Sequence, residues 1–153
     1  MLTAKGKYCL KALACLASLA PGEPMQARKI AEQNRIPKKF LDAILGDLRH
    51  ADLVLSKRGP GGGYTLARAP SEIGIGYVIR VIDGPLAPLA CASQTAFRPC
   101  RDCTEIKTCA IRLVMTRVRE AMSDVLDHTS VADLVVGLAA DRKLSRQSKT
   151  PKR

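Results

Sequence analysis

The chain has 153 residues, 46% hydrophobic and 25% charged; this allows one compact domain or a small domain with an appended element, and excludes both a two-domain enzyme and a chain disordered throughout. Lys plus Arg number 25 against 14 Asp plus Glu, a net charge of +11, which favours a polyanionic partner. No window approaches the roughly 20 apolar residues of a membrane span, and Lys5, Lys7 and Lys11 are not followed by an export signal, so the expectation is a cytoplasmic protein without a membrane partner.

The helical spacing of Cys9, Leu13, Leu16 and Ala20 predicts a first helix over Leu2 to Ala20, ended by Pro21-Gly22. A short second helix, Gln26 to Gln33, buries Ile30 and Ala31 and stops at Asn34-Arg35-Ile36. Pro37 suits the first position of a third helix, whose stripe of Phe40, Leu41, Ile44, Leu45 and Leu48 runs to His50. Two helices joined by a tight turn are therefore expected.

Leu53-Val54-Leu55 and Tyr64-Thr65-Leu66 read as the strands of a hairpin. Glycine fills four of the seven connecting positions from Lys57 to Gly63, which lets the backbone approach a surface closely, with Lys57 and Arg58 at its base. This is the pattern of a wing. A phosphate-cradling P-loop is the weaker reading, since the closing Gly-Lys-Ser/Thr is missing.

A helix over Ile75 to Asp83, with Val78, Ile79 and Ile82 inward, is stopped by Gly84-Pro85. After a loop running to Cys109, Ile111, Val114, Met115, Val118, Met122 and Val125 mark a long helix to Asp127. A helix of that length leaving a small domain usually meets a partner helix. Ser130 with Asp133 resembles a capping box opening a last short helix through Leu138, and the tail beyond has no apolar periodicity.

Charge distribution orients the molecule. Residues 1–70 carry 12 basic and 5 acidic side chains (net +7), residues 71–141 carry 7 and 9 (net −2), and residues 142–153 carry 6 and none (net +6). The basic first half should face the partner. Only 3% of residues are aromatic and none is Trp, which argues against a base-stacking platform for single strands and for duplex DNA.

Cys91, Cys100, Cys103 and Cys109 crowd into nineteen residues, and in a reducing cytosol they call for a metal or redox explanation. Thiolates are the expected ligands of iron in 2Fe-2S or 4Fe-4S clusters, and Arg98, Arg101, Lys107 and Arg112 would offset the charge and lower the thiol pKa values. Four thiolates also suit zinc, and Cys100 with Cys103 form a CxxC suited to a thiol-disulfide switch. Cys9 and Cys15 lie in an Ala/Leu-rich stretch and need no such explanation; Cys9 reads as a core residue.

Several segments resemble the Rrf2 family of bacterial transcription regulators, in particular its iron-sulfur, IscR/NsrR-type members. They are Leu2-Thr3-Ala4-Lys5-Gly6-Lys7-Tyr8, Leu48-Arg49-His50-Ala51-Asp52-Leu53-Val54, Arg58 to Tyr64, Val78-Ile79-Arg80-Val81-Ile82-Asp83-Gly84 and the cysteine loop. The resemblance implies a mainly α fold with a small β-hairpin: a winged helix-turn-helix DNA-binding domain (1–84), a cysteine-rich cluster-binding loop (85–109), a dimerisation helix with a short C-terminal helix (110–138) and a basic tail (139–153). It further implies a homodimer that binds double-stranded operator DNA, as a repressor, according to the state of its cluster. Cys91, Cys103 and Cys109 align with the family's ligands. The family's non-cysteine ligand falls here on Arg112 or Lys7, neither of which can ligate iron, and Cys100 is the substitute thiolate.

On this reading the third helix enters the major groove with Lys38, Lys39 and Asp42, and Arg58 of the wing reaches the minor groove or a phosphate beside Lys57, Gly61 and Gly62. Arg28, Lys29, Lys5 and Lys7 are lesser phosphate contacts. An enzyme with a Cys nucleophile and His base is disfavoured, since His50 and His128 are the only histidines and both lie far from the loop in sequence. A metal-scaffold or electron-transfer protein would leave the wing and the basic half unexplained.

Overall fold

The computed structural model describes residues 2–101, 103 and 105–137. Helices α1 (Ala4–Ala17), α2 (Ala27–Asn34) and α3 (Lys38–His50) are followed by the antiparallel pair β1 (Val54–Lys57) and β2 (Gly63–Leu66), then α4 (Ile75–Asp83), α5 (Ala110–Asp127) and a final helical stretch, α6, over residues 131–137. The expected helix end at Leu138 and the basic tail lie outside the described residues. The mainly helical, hairpin-bearing fold matches the expectation.

Boundaries moved where chain chemistry outweighs periodicity. Thr3 caps α1, its hydroxyl accepting from the Gly6 amide at 3.1 Å, and the helix ends at Ala17, which leaves Ala20 outside it and exposed. Pro37 is the N-cap of α3 and not its first helical residue: its ψ of 127° is extended, while its carbonyl accepts from the Leu41 amide. Between α2 and α3, Arg35 adopts the left-handed conformation (φ 53°) and the Ile36 amide turns back to the Ala31 carbonyl at 2.9 Å. That reversal ends α2 and inserts Ile36 into the core.

Leu13, Leu16, Ile30, Leu41, Ile44, Leu45, Leu48, Leu53, Val54 and Val78 form one buried cluster under the helix-turn-helix and the hairpin. Val131 plugs it from the far end, its amide donating to the Ile73 carbonyl at 2.9 Å while the Ile75 amide donates to the Thr129 carbonyl at 2.8 Å. The chain after α5 is thus tied to the start of α4. The capping pair at the head of α6 forms as expected, with Asp133 accepting from the Ser130 amide at 2.8 Å.

A fully buried Cys9 belongs to this cluster, its thiol pushed up to about 12 by burial first and by nearby Asp83 second. It is an inert apolar residue, as expected.

Candidate nucleic-acid interface and cysteine centre

The hairpin is anchored by a contact invisible to sequence periodicity. Met25 and Tyr64 form an antiparallel bridge through both backbone groups, at 3.0 and 2.9 Å. Gly63 passes so close that a Cβ there would lie 2.6 Å from the Met25 carbonyl. The wing is therefore fixed to the segment that opens α2.

Within the wing the glycines divide their work. Gly61 is exposed with φ 72°, a conformation that L side chains rarely adopt, whereas Gly62 is buried beneath the turn, its amide donating to the Gly59 carbonyl at 2.9 Å. Gly62 shapes the turn and presents little surface of its own. Lys57 and Arg58 are exposed beside it and make no ion pair among the described residues.

On α3, Lys38, Lys39 and Asp42 all lie on the exposed face at the N-terminal end. Lys38 is spent locally, its Nζ 2.7 Å from Asp42 Oδ2; Arg28 is likewise held by Glu32 at 2.9 Å, across one turn of α2. Such exposed pairs contribute at most about 1 kcal/mol and exchange readily for a phosphate. Lys39 makes no ion pair among the described residues. Lys5 instead bridges α1 to α3 through Asp47 at 2.6 Å, which ties it to the scaffold. The cations of α2, α3 and the wing are exposed, and the wing is joined to the start of α2 by the Met25–Tyr64 bridge.

The cysteine loop lies against α5. Cys91, on a short turn over Ala90–Ala92, is 4% exposed, while Cys100, Cys103 and Cys109 are half-buried; none of the chain's six cysteines is disulfide-bonded. The loop is held from α5: Arg112 Nε donates to the Cys91 carbonyl at 2.9 Å, Arg119 Nη1 to the Ala92 carbonyl at 2.7 Å, and the Arg112 guanidinium lies 5.9 Å from the centre of the Phe97 ring. Neither arginine's clamp on backbone carbonyls was legible in the sequence.

The thiols interact in two pairs. A hydrogen bond with Cys100 is the main cause raising the Cys91 thiol, followed by burial. Cys109 caps α5 with its sulfur, and the Arg112 amide is the main cause lowering its pKa; a hydrogen bond with Cys103 and the Arg112 charge are lesser ones. The Cys109 thiol is thus lowered chiefly by a backbone amide, with the Arg112 charge a lesser cause, and the Cys91 thiol is raised, because a helix N-terminus offers amides to one sulfur while the other hydrogen-bonds a thiol. Among the described residues, no three His, Cys, Asp or Glu side chains are arranged to hold a metal ion. Four soft sulfur donors within one loop nonetheless constitute a donor set suited to iron-sulfur clusters or zinc.

Helix α5 has two apolar faces. Met115 and Met122 are half-buried toward the body and Leu126 packs on the core, while Ile111, Val114, Val118 and Val125 are 67, 52, 38 and 64% exposed. The exposed set, with Ala121, repeats at alternating spacings of three and four, the pattern of a helix seam. No residue of α5 is fully buried.

A two-helix turn with an anchored hairpin wing defines the class as a winged helix-turn-helix DNA-binding fold. A family model described as "Iron-dependent Transcriptional regulator" matches residues 2–137, and the chain belongs to this family, Rrf2. An rrf2-like protein of Rhodobacter capsulatus is 43% identical over 138 residues, which cover 88% of this chain and 92% of that one. The transcriptional regulator IscR of Aliivibrio salmonicida is 31% identical, over 96% of this chain and 84% of its own. The solved structure of CymR, the global cysteine regulator of B. subtilis, superposes with a TM-score of 0.73 at 32% identity, covering 89% of this chain and 96% of CymR. The protein is a transcription regulator. No helix among the described residues is long and apolar enough to cross a membrane.

Proposed function

We propose that the protein is a cytoplasmic, homodimeric, non-enzymatic repressor that binds operator DNA and senses redox, iron or nitric oxide status through an iron-sulfur cluster. The observation that carries this reading is the placement of all four loop thiols in contacting pairs at the N-terminus of a helix whose outer face is apolar and uncovered. Cys91, Cys100, Cys103 and Cys109 would hold the cluster, which supplies sensitivity to oxidants and nitric oxide when bound. Residues 1–84 read DNA through Lys39, Arg58 and, with less weight, Arg28, Lys38, Asp42 and Lys57; residues 85–109 sense; residues 110–138 join two copies along the Ile111, Val114, Val118 and Val125 seam.

Arg112 and Arg119 couple sensing to DNA binding. They hold the carbonyls of residues 91 and 92 from α5, so a change in the order of the loop bears directly on the helix that sets the spacing of the two wings. Anaerobic purification followed by visible absorption, iron and sulfide analysis and operator titration tests this. Visible bands with iron and sulfide, and different operator affinities for loaded and apo protein, are expected; colourless protein containing stoichiometric zinc overturns the cluster.

The pairing of the thiols favours a second reading, a regulator switched by thiol-disulfide chemistry. Cys103 and Cys109 are in hydrogen-bond contact, so attack by one sulfur on the oxidised sulfur of the other would close a disulfide between them. Reversible loss of two thiols per chain under mild oxidant, without bound metal, would establish it in place of the cluster.

A further inference from the structure

Phe40 departs from the pattern of its helix. The stripe that buries Leu41, Ile44, Leu45 and Leu48 completely leaves Phe40 53% exposed, although the apolar spacing of α3 places it inside. At about 100° of rotation per residue, Phe40 falls on the rim of that stripe, with Ala43 next to it and Lys39 beyond, and both of these are exposed. The ring is backed by Tyr8 of α1, which it meets edge to face with centroids 6.3 Å apart and planes at 69°. Tyr8 is in turn packed against the core. An edge-on contact of this kind orients a ring without covering it. Phe40 and Ala43 thus make a small apolar spot on the early turns of α3, at the end of the helix that also carries the exposed Lys38 and Lys39.

We propose that Phe40, with Ala43 beside it, reads the C5 methyl group of a thymine in the major groove and is a specificity-determining residue of the protein. The inference rests on α3 being the helix that enters the groove. The thymine methyl is the apolar group that the major groove presents, and Phe and Ala are side chains that recognise it by contact alone. Residues at the N-terminal end of a recognition helix are the ones that reach base edges, and Phe40 is the third residue of α3. Ala43 is small enough to let a base approach the ring. Lys38 and Lys39 at the same end supply contacts to phosphates, which fix position without choosing a sequence. The apolar spot among them therefore adds the selectivity that their charge does not.

The test begins with selection of bound duplexes from a random pool by the full-length wild-type chain and by Phe40→Ala. Wild type should enrich thymine at one position per copy bound, and Phe40→Ala should lose that preference while keeping the rest of the selected sequence. Replacing that thymine by deoxyuridine removes the methyl and leaves pairing intact; it should weaken wild type about fourfold per copy bound, the worth of one buried methyl, and leave Phe40→Ala within error. A ring that serves packing alone changes stability but not this difference between thymine and deoxyuridine. If Phe40→Ala does not fold, Phe40→Gln, which keeps the length of the stem and presents an amide, replaces it. The same thymine enriched by both chains, or an equal deoxyuridine penalty in both, overturns the proposal and leaves DNA binding intact. Wild type that enriches no sequence overturns the DNA-reading role of α3 and this inference with it.

Discussion

Arg80 and Asp127 meet through two parallel hydrogen bonds, Nη1 to Oδ1 at 2.6 Å and Nη2 to Oδ2 at 2.8 Å, joining α4 to the end of α5 across 47 residues of chain. Ser123 Oγ accepts from the same guanidinium at 3.5 Å. The fork-on-fork geometry fixes direction as well as distance, so α5 is aligned on the DNA-binding body at the end opposite the cysteines.

The Arg80 guanidinium holds the Asp127 carboxyl below the usual carboxylate range. A depressed folded-state pKa contributes stability that is fully present above the unfolded value, about 4, and is lost as pH falls through the folded value. The pair is part-exposed, so it is worth about 1 kcal/mol or less. Asp127→Asn should lower the melting temperature at pH 7, and the gap between variant and wild type should close as thermal melts are taken down toward pH 2.

Two helical glycines should respond oppositely to alanine. A Cβ at Gly76 would overlap Asp127 Oδ1 and crowd Arg80, whereas nothing lies within 4 Å of a Cβ at Gly46. Gly46→Ala should gain about 0.5–1 kcal/mol from helix propensity. Gly76→Ala should lose that gain and destabilise, by displacing the carboxylate; urea denaturation of both variants reads the contrast.

Arg58→Ala and Lys39→Ala should each weaken operator binding and reduce the slope of log affinity against log salt by about 1 per protomer, about 2 for the proposed dimer. Lys38→Ala should cost less, because Asp42 already partly neutralises it. Fluorescence anisotropy across salt concentrations ranks the three; an equal loss for Lys38 would show that the DNA displaces Asp42.

Val118→Glu places a charge in the middle of the exposed α5 seam. Sedimentation should report a dimer for the wild type and a monomer for the variant, with the far-ultraviolet helix signal largely kept. A wild-type monomer at micromolar concentration would remove the seam from the mechanism.

Much of this architecture was legible because period and punctuation agreed. Gly84-Pro85 and the Ser130 and Asp133 pair mark element ends by local chemistry, and α4 spans Ile75–Asp83 as its pattern predicts, whereas α1 stops at Ala17, short of Pro21-Gly22. What escaped reading depends on chain segments far apart. The Met25 and Tyr64 bridge, the carbonyl clamps of Arg112 and Arg119, and the contacts of Asp83 and Asp127 carry no local periodicity. For the last two, Gly6 and Gly76 were the available signal, since a glycine inside a helix often marks a close approach. The apolar residues of α5 fall on two faces because consecutive ones such as Val114 and Met115 point to different sides of a helix.

Thr3 donates to Asp83 from both its amide, at 2.8 Å, and its hydroxyl, at 2.5 Å, and a Cβ at Gly6 would collide with that same carboxylate. Gly6 and Gly76 are thus one device used twice, a notch cut in a helix into which an acid from another helix is keyed. Keyed joints have no padding to absorb an error. A single added methyl group in either notch should be felt beyond it, in how α1 and α5 are set against α4.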